Sequence, residues 1–132
     1  MQMISDARVV EWMDAFAQCV RNADFQSGRT LFSDAAIGFG TVVSEYVDAE
    51  DLLTNQWSDV WPRTTDFRFD EVLATWADGR TCTVAATWSS VGTDESQARS
   101  RAGRVTLVLR EDADGVLKAV HSHFSMLPGT RA

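Results

Sequence analysis

The sequence predicts an α+β fold. Apolar residues recur at helical spacing through roughly the first half of the chain and alternate with polar ones after it. The alternating part is cut by turn signals at Asp78–Gly79 and Ala113–Asp114–Gly115. Helices first and a four-strand antiparallel meander second is the order of a sheet with helices packed on one face. At 132 residues, with no linker, repeat or low-complexity tract, the chain reads as a single domain, 1–132.

Ser5 or Asp6 caps the first helix, where Val9, Trp12, Met13, Phe16, Ala17 and Val20 form a broad apolar stripe. A short second helix is expected between Asp24 and Phe32, weakened by Gly28. The stretch AIGFGT (36–41) is too short and glycine-rich for a helix. It reads as a strand or strand–turn, with a second short strand near Val42–Tyr46. Asp48 caps a third helix, and Glu50 and Asp51 suit the positive end of its dipole. Leu53, Trp57, Val60 and Trp61 continue its apolar stripe until Pro62 stops it. From there the period is two. Strands are expected at 66–79, 81–92, 103–112 and 116–126, with TDESQARS as a polar loop between the second and third.

A net charge of −7 with scattered Lys and Arg excludes the electrostatic footprint of a nucleic-acid or anionic-membrane binder. No apolar run approaches the roughly 20 residues of a membrane span. The start, MQMISDARVVEW, has neither the basic nor the apolar region of a signal peptide. Cys19 and Cys82 are too few for a disulfide scaffold and read as buried thiols, so a cytoplasmic location is expected.

Strict alternation puts Leu117, Ala119, His121, His123 and Ser125 on one face of the last strand. Val116, Val120, Phe124 and Met126 take the other. Neither face is plainly solvated. One is expected under the chain's own helices and the other under a second copy, giving a homodimer through the sheet.

The stretches FSDAAIGFGT, GRVTLVLREDADG and VLKAVHSHFS, in this order among helices and strands, resemble the SnoaL-like domains of the nuclear transport factor 2-like superfamily. The branch is similar to the association domain of calcium/calmodulin-dependent protein kinase II. Phe39–Gly40–Thr41, Gly103–Arg104–Val105–Thr106 and His121–Ser122–His123–Phe124–Ser125 carry the likeness, although Leu117 stands where the family usually has Trp. The resemblance implies a cone-shaped, curved sheet wrapped around about three N-terminal helices, a pocket in its open end, and dimerisation. It also implies that Arg104, His121 and His123 line the pocket. Isomerase members place an Asp base on the strand after the second helix and a Tyr on the first. Here 36–41 carries no carboxylate, the first helix offers Trp12 and Phe16, and the only tyrosine is Tyr46.

Three chemistries compete for the two histidines. A metal site wants three or four donors. No third His and no Cys-x-x-Cys exists, so neither a metal nor another cofactor is expected. General acid–base catalysis by His121 or His123 suits an imidazole near neutral pH, against a plain hydrogen bond to Ser125 or a carbonyl. A small carboxylate or other polar head would suit Arg104, Thr106, His121, His123 and Ser125 together, unless Arg104 pairs with a protein carboxylate. Trp12, Phe16, Trp57 and Trp61 would hold the apolar body of a ligand, or serve as core. Asp34 reads as a turn or cap residue.

The expected function is a dimeric domain binding an unknown small molecule. The alternatives are an enzyme of isomerase, lyase or hydrolase type using a pocket histidine, and an assembly module without catalysis.

Overall fold

The computed structural model describes residues 4–94 and 97–129. Its α-helices are α1 (Asp6–Asn22), α2 (Phe25–Thr30), α3 (Ala49–Leu52) and α4 (Ser58–Val60). A π-helical turn, Leu53–Trp57, joins α3 to α4, and a 3₁₀ turn, Trp61–Arg63, follows. The strands are β1 (Phe32–Phe39), β2 (Thr64–Asp78), β3 (Thr81–Asp94), β4 (Gln97–Glu111) and β5 (Leu117–Met126). They form one mixed sheet in the order β1-β5-β4-β3-β2. The expected antiparallel meander is β2 to β5, and β1 adds to it parallel to β5.

Register shifts interrupt the β2–β3 pairing in three places, and each bulge bends and twists the sheet further. The result is an unclosed, curled sheet whose inner face receives the helices. No helix among the described residues is long and apolar enough to cross a membrane.

The predicted caps form. The Ser5 hydroxyl accepts from the Arg8 amide, and Asp48 Oδ1 accepts from the Asp51 amide at 2.8 Å. On α1 the predicted stripe is buried in full. The third helical segment departs from its predicted stripe. Its buried residues are Ala49, Leu52, Trp57 and Trp61, whereas Leu53 is only half-buried. A continuous α-helix would align Leu52 with Gln56, four residues on. The π turn, closed by Ser58 N–H onto the Leu53 carbonyl, adds one residue and brings Trp57 under Leu52 instead.

Three boundaries also differ. Helix α2 stops at Thr30 because Phe32 opens β1, its ring 5.0 Å from Trp57 and 5.8 Å from Phe16. The expected strand near Val42–Tyr46 is reduced to one bridge, in which Gly38 and Tyr46 exchange backbone hydrogen bonds of 3.1 and 2.8 Å. The expected loop TDESQARS is mostly strand, since pairs such as Val91–Ser100 and Gly92–Arg99 extend the ladder. Residues 95–96 of that stretch lie outside the described residues.

The difference that matters most lies in β5. Val108 pairs with His121 but Leu109 with Ala119, which leaves Val120 as a bulge. One extra residue reverses the facing of everything beyond it. Leu117 and Ala119 point inward, as do Ser122 and Phe124, while His121, His123 and Ser125 turn to the outer face. The expectation that the histidines share a face with Leu117 and Ala119 is thereby corrected.

Candidate functional site

Between the helices and the inner sheet face lies a cavity of about 90 Å³. Its wall is aromatic: Phe16 from α1, Trp57 and Trp61 from the third helical segment, and Phe67, Trp88 and Phe124 from the sheet. Trp57 and Trp61 stack with centroids 4.6 Å apart, and Phe16 meets both edge-on at 6.3 and 5.7 Å. Such edge-to-face packing fixes ring positions. Trp12 does not line the cavity. It stacks on Phe16 at 5.5 Å from behind, and its Nε1–H donates to the Leu31 carbonyl at 3.1 Å.

Polar side chains interrupt this wall. Ser90 and Ser122 are buried residues facing the space from β3 and β5, and Gln56 reaches it from the π turn. Arg101, on β4, stands at one rim beside Ser90. Gly92 leaves room for its guanidinium, because a Cβ there would lie 2.1 Å from an Arg101 nitrogen. Among the described residues no Asp, Glu, His, Cys, Tyr or Lys lines the cavity.

The sequence-predicted polar cluster does assemble, but on the outer face. Arg104 pairs with Ser125, Thr106 with His123 and Val108 with His121. His121 Nδ1 donates to the Ile37 carbonyl at 2.8 Å, and the Phe39 ring stands edge-on to both imidazoles at 5.0 and 5.2 Å. The Ser125 hydroxyl reaches the Arg104 carbonyl at 3.5 Å. Arg104, Thr106 and His123 are exposed. The pairing of these five residues follows the strand register, while their distance from the cavity follows from the β5 bulge.

Asp34 is neither a turn nor a cap residue but part of β1, which starts four residues earlier than the expected 36–41. It is exposed and receives Arg29 Nη2 at 2.6 Å; this guanidinium holds the carboxyl below its ordinary range. The first-helix and third-helix stripes found Phe16, Trp57 and Trp61. Gln56, Ser90, Arg101 and Ser122 were missed, because nothing in the local sequence marks them as facing the cavity and only the packing of the third helical segment on the sheet, with the strand register, places them there. Among the described residues no group of three or more His, Cys, Asp or Glu could hold a metal ion.

Residues 9–128 match the family model of the SnoaL-like domain. No curated protein matches the sequence. Solved structures match the fold. A nuclear transport factor 2-like superfamily protein from Salmonella enterica is 17% identical with a TM-score of 0.82, over 94% of this chain and 92% of that one. A candidate calcium/calmodulin dependent protein kinase II association domain from Xanthomonas campestris is 16% identical with a TM-score of 0.81, over 96% and 91%. A ketosteroid isomerase-like protein from Erwinia carotovora atroseptica is 16% identical with a TM-score of 0.77, over 92% and 95%.

Proposed function

The chain belongs to the SnoaL-like domain family, and from that premise we propose that it is a homodimeric domain binding a small, largely apolar molecule with a polar group. The observation that carries this is the aromatic cavity with Gln56, Ser90 and Ser122 in its wall and Arg101 at its rim. An apolar cleft with a few convergent polar groups is the usual form of a small-molecule site. Its size limits the ligand. An apolar cavity of roughly 150 Å³ holds benzene, so about 90 Å³ admits a small ring or chain end unless side chains move. A small carboxylate is the polar group we expect, with Arg101 at the rim as one donor in addition to the interaction it already makes.

Binding is preferred to acid–base catalysis because neither histidine lines the cavity and no carboxylate among the described residues does. The dimer reading draws on the outer sheet face, where Ile37, beside the histidine cluster, and Trp76, three strands away on β2, are 48% and 61% exposed. A second copy laid on this face would cover them. A cytoplasmic location is in keeping with the two unpaired, buried thiols.

Trp57, Trp61 and Trp88 all line the cavity, so their fluorescence reports occupancy. In a titration with small-ring carboxylic acids, Arg101→Ala is expected to weaken binding by about tenfold, the worth of one charge-assisted hydrogen bond. Arg104→Ala should leave binding unchanged, and Ser122→Leu should block it by filling the space. Binding that survives Ser122→Leu and disappears with Arg104→Ala would move the site to the outer face and overturn the reading.

A further inference from the structure

Gln56 departs from the apolar pattern of its helix and is held by Tyr46, which does not itself line the cavity. Tyr46 is 1% exposed, and its hydroxyl donates to Gln56 Oε1 in a very short hydrogen bond. Tyr46 is itself pinned by its two-way backbone bridge to Gly38. Gly40 closes the arrangement: a Cβ there would lie 2.9 Å from Gln56 Oε1 and 3.1 Å from the Tyr46 ring. The carboxamide oxygen is therefore occupied and its plane fixed. Its N–H₂ has no hydrogen-bond partner among the described residues, on a side chain that lines the cavity.

The Ser122 hydroxyl belongs to the same wall. Ser122 pairs with Gly38, and the space beside Gly38 is filled by Leu52, which precedes Gln56 in the same helical segment. Arg101 lies farther along the sheet, beyond the Gly103–Met126 pair. The cavity thus has Arg101 and Arg63, the latter paired with Asp59, hydroxyls that include Ser90 and Ser122, and a single amide donor set among aromatic rings. The N–H₂ is open to water as it stands, since no buried side-chain nitrogen or oxygen among the described residues lacks a partner; a ligand that displaces this water without offering an acceptor leaves the donor unpaired among aromatic rings, which is costly. The group that satisfies a fixed N–H₂ is an acceptor.

We propose that Gln56 is the specificity-determining residue of the cavity, donating its carboxamide N–H to the carbonyl oxygen of a small ketone, ester or amide, with Tyr46 as the positioning residue. This rests on the cavity being a binding site and names the chemical class it takes. Cyclopentanone and methylcyclopentane serve as probes, equal in heavy atoms but with and without the acceptor. Affinities are read from ligand-detected NMR and tryptophan fluorescence. Gln56→Glu keeps the shape and the Tyr46 hydrogen bond but replaces the donor with a carboxylate. It is expected to weaken cyclopentanone at least tenfold and methylcyclopentane less than threefold. Tyr46→Phe should weaken cyclopentanone to an intermediate degree.

Gln56→Met, which removes the donor at similar volume without adding charge, repeats the test if the Glu variant fails to fold. Equal loss for both probes, or no loss for either, overturns the assignment of Gln56 while leaving the cavity as a site. Failure of both probes to bind the unaltered protein overturns the cavity reading, and this assignment with it.

Discussion

Gly103 shows how tightly single positions are constrained. A Cβ there would lie 1.9 Å from the Ser125 carbonyl oxygen and 2.8 Å from two carbons of the Trp88 indole. Backbone cannot swing aside as a flexible side chain can, so Gly103→Ala is expected to cost about 1–3 kcal/mol in urea denaturation. The same variant should shift Trp88 emission, because the indole also donates to the Arg104 carbonyl at 3.1 Å. Phe16 is the hub of the aromatic wall, touching Trp57, Trp61, Phe67 and Phe124. Phe16→Ala should lower stability by about 3–5 kcal/mol, the usual cost of opening such a void, and also enlarge the cavity. Burial pushes both cysteine thiols above their ordinary pKa, Cys19 with help from Asp24. Neither should react with a thiol reagent at neutral pH until the protein is denatured. At this scale the sequence was informative where one side chain served both core and cavity. Phe16, Trp57 and Trp61 were legible for that reason, while Ser90, Ser122 and Gln56 carry no local mark of facing inward.

Elements were legible in kind and order, less so in phase. On β5 the apolar set Leu117, Ala119, Phe124 and Met126 changes parity between Ala119 and Phe124, the one trace of the bulge at Val120. Strict alternation misses it and carries the histidines to the wrong face. The π turn does the same for the third helical segment, since a single added residue replaces Gln56 by Trp57 beneath Leu52. Its N-terminal cap was plain in the sequence. Asp48→Ala removes the acceptor for the Asp51 amide and should cost about 1 kcal/mol, read from the thermal midpoint. Because this segment carries Gln56, Trp57 and Trp61, the same change should weaken ligand binding without touching the cavity wall.

For the whole molecule, charge and shape lead to separate expectations. Asp24, Asp51 and Asp112 accept backbone hydrogen bonds and Asp34 accepts from Arg29, so all four carboxyls are held below their ordinary pKa. A depressed folded pKa contributes stability at pH values above the unfolded value of about 3.9. That contribution is lost as pH falls from there through the folded values. Thermal midpoints should therefore hold steady from neutrality to about pH 5 and drop below it, and Asp112→Asn should make the drop shallower. The proposed dimer is checked by native mass measurement at micromolar concentration, where a monomer alone would count against it. Trp76→Glu, on the outer face and away from the cavity, is expected to shift the population toward monomer.

The sequence by itself determined the α+β class, the helix caps, the apolar stripe of α1, the antiparallel meander and the family likeness. The likeness rests on three short stretches of residues, and the rest on periodicity and on capping and turn residues, which act over a few neighbours. Only the tertiary structure decided which residues meet in the cavity. An inserted residue in a strand or helix reverses what faces inward while leaving local propensity almost unchanged. The two histidines, Arg104, Thr106 and Ser125 were rightly grouped by register, yet the bulge at Val120 turned them outward, and the cavity wall takes Gln56, Ser90 and Ser122 instead.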